Sequence, residues 1–140
     1  MYQYKRKVQY HETDKMGVTH HSNYIKWLEE ARIDFLESIG CGYTTVEKEG
    51  IVSPVVGIDC KYKHTTTFDD VVNIGVSIKE YKSVKLVLEY KITNEKTNDL
   101  VLEGKTVHCF IDKNGKIVSL KKTLPNIDEK LQEHIKTDES

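Results

Sequence analysis

The 140 residues suit a single domain spanning 1–140, and 21 Lys and Arg against 22 Asp and Glu leave a formal net charge of -1. That balance argues against a nucleic-acid binder, which carries a basic excess or stripe, so the short runs KRK (5–7) and LKKT (120–123) read as solvated surface. No apolar stretch approaches the roughly 20 residues needed to cross a bilayer, so no membrane partner is expected.

From the start, Tyr2 to Tyr10 place aromatic or apolar residues at 2, 4, 8 and 10, a period of two that predicts a strand. The same stretch lacks the apolar core of a signal peptide, which points to a cytoplasmic protein. From Tyr24 the period changes. Tyr24, Trp27, Leu28, Ala31, Phe35 and Ile39 follow helical spacing, with Lys26, Glu29, Glu30, Asp34 and Glu37 opposite. Ser22 or Asn23 is the expected N-cap, and Gly40 and Gly42 supply the stop.

After the loop around EKEGIVSP, the pattern is strand throughout. The segments are 55–64, 70–81, 83–93 and 99–112, and Asn114-Gly115 is a two-residue hairpin signal into KIVSL. Ile127, Leu131 and Ile135, four apart, predict a short terminal helix. One long helix segregated from a run of strands means α+β rather than an alternating doubly wound sheet. A helix of about 16 residues is roughly 24 Å long and covers one face of a five- to six-stranded antiparallel sheet. The uncovered face calls for a second subunit, hence a homodimer or homotetramer. Cys41, Cys60 and Cys109 are odd in number and contain no CxxC pair, so buried reduced thiols are expected. No metal is expected either: the six histidines show no i, i+4 pair backed by carboxylates, and the adjacent His20 and His21 should diverge.

The polar segment ETDKMGVTHHSNY (12–24) precedes the helix and admits two readings. In the structural one, Asp14-Lys-Met-Gly17 is a type I turn, Ser22-Asn23 caps the helix, and the histidines are surface residues. In the functional one, the helix start offers unpaired N–H groups and partial positive charge to a carbonyl under attack. A carboxylate returned beside it by a tight turn could activate water or attack directly, and an ordinary Asp, titrating near pH 4, is ionised at neutrality. Glu12 lies two residues before Asp14 and shares its face if the strand continues; a solvated role is expected for it.

YHETDKMGVTHHSNYIKWLEEARIDFLESIG (10–40) resembles the N-terminal signature of the 4-hydroxybenzoyl-CoA thioesterase family and of the related Tol–Pal-associated acyl-CoA thioesterases. The matching positions are Thr13, Asp14, Gly17, Asn23, Tyr24, Trp27, Glu29 or Glu30, Ala31 and Arg32. PVVGIDCKYKHTTTFDDVVNI also matches the family's second strand pair. The resemblance implies the hotdog fold, a long helix wrapped in a curved antiparallel sheet, and an acyl-CoA thioesterase that yields free acid and CoA. It implies Asp14 as catalytic base or nucleophile, and His21 as the residue whose N–H polarises the thioester carbonyl. The expected substrate-binding positions are Gly17, which lets the backbone approach closely, His20, as a pocket or a surface residue, Asn23, Tyr24 and Thr66. HTTTF (64–68) departs from the arginine- or proline-bearing turn of relatives, and Thr65, Thr66 or Thr67 either meets the site from a neighbouring subunit or belongs to a hydroxyl-rich strand end. CoA is then part of the substrate and no cofactor is implied. Lys15 and Met16 depart from the small residues or proline of relatives, which leaves the acyl group open. Two alternatives stand beside this reading: a hotdog hydratase or dehydratase, whose G-D-x-N-P-x-H run is absent here, and a non-catalytic acyl-thioester binder.

Overall fold

In the computed structural model, which describes residues 1–135, alternation of apolar residues becomes strand in five places. β1 (Tyr2–Lys7), β2 (Val55–Tyr62), β3 (Val71–Lys82), β4 (Lys85–Asn94) and β5 (Leu100–Cys109) form one sheet in the order β1-β3-β4-β5-β2. Every pairing is antiparallel. β4 shows what sets the register. Leu86, Leu88, Tyr90 and Ile92 share one face and are buried. A slip of one residue would turn all four to the opposite face.

Onto that face lies α1 (Ser22–Ser38), which packs against β1 and β3. Tyr24, Trp27, Leu28, Ala31 and Phe35 are its buried apolar stripe, as their spacing predicts. The helix stops at Gly40, whose φ of +82° is left-handed, while the Cys41 N–H reaches back to the Leu36 carbonyl at 2.8 Å. A short α2 (Tyr43–Glu47) follows. At the other end of the chain, α3 (Leu120–Thr123) and α4 (Pro125–Glu133) bury Leu120, Ile127 and Leu131 against the same core. Ile135 lies just beyond α4 and bridges to Ile78. No helix of the described residues is long and apolar enough to cross a membrane.

Three local expectations are corrected. The first strand ends at Lys7 rather than Tyr10, because Tyr10–Glu12 coil into a 3-10 turn closed by the Gln9 N–H on Glu12 Oε1 at 2.8 Å. At Asn114-Gly115 only the glycine has positive φ, +78°. Asp112 Oδ1 instead accepts from the N–H groups of Asn114 (2.8 Å) and Lys116 (3.0 Å), so a side chain braces the turn. KIVSL then makes one bridge, Ile111 to Ile117, and no strand. Of the cysteines, all are free but only Cys41 is fully buried, and burial pushes its thiol up to about 11.

Candidate active site

The segment before α1 is built on Glu12, and here the expectation of a solvated glutamate fails. Glu12 is 3% exposed. Oε1 accepts from Arg6 Nη1 at 2.6 Å, and Oε2 accepts from Trp27 Nε1 at 2.8 Å. Burial alone would raise this carboxyl, but the donors Trp27, Gln9 and Arg6 outweigh it and hold Glu12 below its ordinary value. Arg6 is fixed in turn by Glu30 at 2.9 Å and lies over the Trp27 ring, 5.2 Å from its centroid. The reason Glu12 could not stay in solvent is that an arginine and an indole N–H, both inside, needed its oxygens.

The Glu12 backbone closes the loop that follows. Its carbonyl accepts from the His20 N–H at 2.8 Å and from Asn23 Nδ2 at 3.0 Å. Between those points Thr13 bridges Thr19, and the Asp14 N–H donates to the Val18 carbonyl at 2.9 Å. Asp14 opens the predicted turn: its carbonyl accepts from the Gly17 N–H at 3.0 Å, and its Oδ1 accepts from the Met16 N–H at 2.8 Å. Gly17 has φ of +83° and open space where a Cβ would stand. The left-handed backbone is by itself reason for glycine there.

The helix start differs from the expected cap. His21 is the N-cap residue, and its side chain makes no capping bond. The Ser22 N–H donates instead to His20 Nδ1 at 3.2 Å, while Ser22 Oγ lies 2.8 Å from the same nitrogen. Asn23 is turned inward onto the carbonyls of Glu12 and His20. Among the described residues the His21 N–H meets no acceptor. The rings of His20 and His21 do not diverge: they stack with centroids 4.5 Å apart.

A second segment from the same chain completes the site. The Thr19 N–H donates to the Thr66 carbonyl at 2.8 Å, the two hydroxyls lie 2.6 Å apart, and Val18 bridges Thr67. Thr66 is wholly buried behind Tyr24, 3.3 Å from its hydroxyl, so within this chain it is a fastener rather than a group reaching over from a neighbour. Its position in sequence brings Tyr62, Lys63, His64 and Thr65 opposite Asp14. Together with Val18–His21 and Tyr24 they line an open cleft of about 380 Å³.

Of the residues singled out from sequence, Asp14, His20, His21 and Tyr24 meet in this cleft. Gly17, Asn23 and Thr66 stand behind it as supports. Tyr62, Lys63 and His64 were missed, although the polar run KYKHTTTF closing an apolar strand was a signal of an exposed strand end. Tyr62 packs against Tyr24 (5.8 Å) and His21 (6.2 Å). His64 Nδ1 lies 3.0 Å from the Leu100 carbonyl. A carbonyl only accepts, so Nδ1 carries the proton and a neutral His64 keeps its lone pair on Nε2. The carboxylate of Asp14 retains Oδ2 for another donor. Among the described residues, no group of three or more His, Cys, Asp or Glu side chains could hold a metal ion.

The cleft thus sets Asp14 and the start of α1 at His21 in one lining. Residues 8–135 match the model of the thioesterase-like superfamily. The chain is 32% identical over 121 residues to a Bacillus subtilis protein provisionally named acyl-CoA thioesterase YneP, covering 86% of this chain and 87% of that one. It is 25% identical over 119 residues to the 4-hydroxybenzoyl-CoA thioesterase of Pseudomonas sp. strain CBS-3, covering 79% of this chain and 83% of that one. Among solved structures, a DHNA-CoA thioesterase from Staphylococcus aureus superposes with a TM-score of 0.89 at 32% identity, covering 94% of this chain and 88% of that one.

Proposed function

Because the chain belongs to the thioesterase-like superfamily, we propose that it hydrolyses an acyl-CoA thioester to the free acid and CoA in the cleft around Asp14. The observation that carries this reading is that Asp14 and the start of α1 at His21 line one open cleft.

Asp14 acts as base or nucleophile. As base, Oδ2 takes a proton from water while the oxygen attacks the thioester carbon. The carbonyl oxygen becomes an oxyanion and accepts from the His21 N–H, where the first turn of α1 adds its dipole. Collapse breaks the C–S bond, and the departing thiolate takes the proton held by Asp14. As nucleophile, the same carboxylate attacks the thioester carbon, the C–S bond breaks and CoA leaves as the thiolate; water then cleaves the anhydride to the free acid and the Asp14 carboxylate, and the proton released goes to the thiolate. Tyr24 and Tyr62 offer an aromatic wall to the acyl group, and Lys63 offers a cation to the coenzyme's phosphates. The site works without a cofactor, CoA being part of the substrate. The protein acts as a homo-oligomer, a reading supported by Val56 and Ile58, which are 61% and 45% exposed on the edge strand β2.

The test is thiol release from short, long and aromatic acyl-CoAs by wild type and Asp14→Asn. The substitution keeps size and turn chemistry while removing the charge. Turnover should fall by about a hundredfold or more. Equal rates in the two proteins on every substrate would make Asp14 a turn residue only, and retention of intact thioester would favour a binder.

A further inference from the structure

Three imidazoles line the cleft around Asp14, those of His20, His21 and His64, and their hydrogen bonds set them to different tasks. His20 Nδ1 accepts from the Ser22 N–H at 3.2 Å, so the proton of the neutral ring sits on Nε2 and the atom left over is a donor. His21 packs its ring on those of His20 and Tyr62 and makes no capping bond. His64 is held the other way round. Its Nδ1–H is spent on the Leu100 carbonyl at 3.0 Å, and the lone pair on Nε2 is left for the cleft. An imidazole oriented at one nitrogen, with the other free to accept, is the arrangement of a general base.

Strand pairing sets where that base stands. Segment 18–21 runs between two neighbours: Thr13 bridges Thr19 on one side, and Val18 bridges Thr67 on the other, both antiparallel. Successive N–H groups alternate between them, Thr19 donating to the Thr66 carbonyl and His20 to the Glu12 carbonyl, each at 2.8 Å. Continued outward, the pairing of Val18 with Thr67 sets His64 across from His21. Asp14 and His64 therefore flank the helix start from opposite sides. A carbonyl held at the His21 N–H is then reached by Asp14 from one side and by His64 from the other.

That division matters because a carboxylate that attacks cannot also serve the water that follows. Once Asp14 is part of an anhydride its charge is gone, and a second proton acceptor has to prepare the water. Lys63, on the same wall as His64, brings only donors.

We propose that His64 is that acceptor: Asp14 opens the thioester as nucleophile, and His64 is the catalytic base of the hydrolysis that follows. In the first half, an Asp14 carboxylate oxygen bonds the thioester carbon, the C–S bond breaks and CoA leaves as the thiolate. In the second, Nε2 takes a proton from water while the water oxygen attacks the acyl carbon. The bond to Asp14 breaks, releasing the free acid and the Asp14 carboxylate. The proton on His64 passes to the thiolate, which restores the neutral ring. This step belongs to the thioester hydrolysis proposed above and rests on it.

The test is the time course of thiol release over the first turnovers, with whichever of acetyl-, decanoyl- and benzoyl-CoA wild type turns over fastest. His64→Asn keeps a side-chain N–H for the Leu100 carbonyl and removes Nε2, and the residue is exposed, so the fold tolerates the change. It should release about one thiol per active site in a rapid burst. It should then settle to a steady rate about a hundredfold below wild type, as the anhydride waits for water. Added imidazole should speed that slow phase and leave the burst as it is. His64→Gln should behave in the same way, and Asp14→Asn should show no burst. A slow His64→Asn without a burst, or one as fast as wild type, would overturn the proposal while leaving the thioesterase reading intact. A burst in His21→Asn and none in His64→Asn would overturn it in favour of His21. If wild type releases no thiol from any of the three substrates, both readings fall together.

Discussion

His108 shows how one residue can carry a pH dependence. It is buried, with Nε2 2.8 Å from Thr106 Oγ1, whose hydroxyl also meets Tyr90 at 2.7 Å. Burial and then Arg32 lower its proton affinity from 6.5 to about 4. The unfolded chain therefore binds a proton that the folded chain refuses between those values. The resulting stability is fully present above about pH 6.5 and is lost as pH falls toward 4, amounting to about 3 kcal/mol at one site. Urea denaturation across that range should show the decline in wild type and a flatter profile in His108→Gln. At this scale the sequence was readable only where the chemistry was local. Asp14 and Gly17 close a turn with their own neighbours, so their roles could be foreseen. His64 and Tyr62 could not, because what faces them is some forty residues distant and arrives only with strand pairing.

Among the elements, α1 is as much an anchor as a covering. Trp27 reaches from its first turns to Glu12, and Asn23 reaches to the carbonyls of Glu12 and His20, so helix and loop share one set of bonds. Glu12→Ala would leave Arg6 with the half-exposed Glu30 as its carboxylate and the Lys7 carbonyl as a further acceptor, and strand the Trp27 N–H inside. Breaking a buried pair of this kind costs roughly 3–5 kcal/mol, and the retained Glu30 places the expected loss near the lower figure. Chemical denaturation would read that loss, and thiol release should fall alongside it although Asp14 is untouched. The apolar stripe of α1 and the alternation of β4 were plain in the sequence, since each needs only one buried face. The 3-10 turn at Tyr10–Glu12 was not, because the strand-like period of two ran on past the point where the Glu12 side chain turned back to Gln9.

For the whole molecule, the two edges of the sheet are unlike. β1 ends in Lys5, Arg6 and Lys7, of which Lys5 pairs with Glu95 and Lys7 with Asp69, and charge of this kind discourages a further strand. β2 instead exposes Val55, Val56, Ile58 and Tyr62. Replacing Val56 and Ile58 together by lysine should convert the proposed homo-oligomer to monomer in sedimentation. The unfolding midpoint extrapolated to low concentration should barely change, since both side chains are already exposed within one chain. The α+β class and the antiparallel order of strands were legible from segregated patterns. The pairing of β2 with β5 was not, for nothing local says that the first strand after the helix joins the far edge. That placement has a thermodynamic corollary. Tyr62 ends β2 and Thr65 follows three residues later, so the edge open to a second copy runs directly into one wall of the cleft. Where association reshapes that wall, a ligand filling the cleft must alter the association constant by the same factor that association alters the ligand's affinity. Protein concentration then becomes a binding variable: a dilution series would move the apparent affinity for ligand, and saturating ligand would move the dissociation in the matching sense.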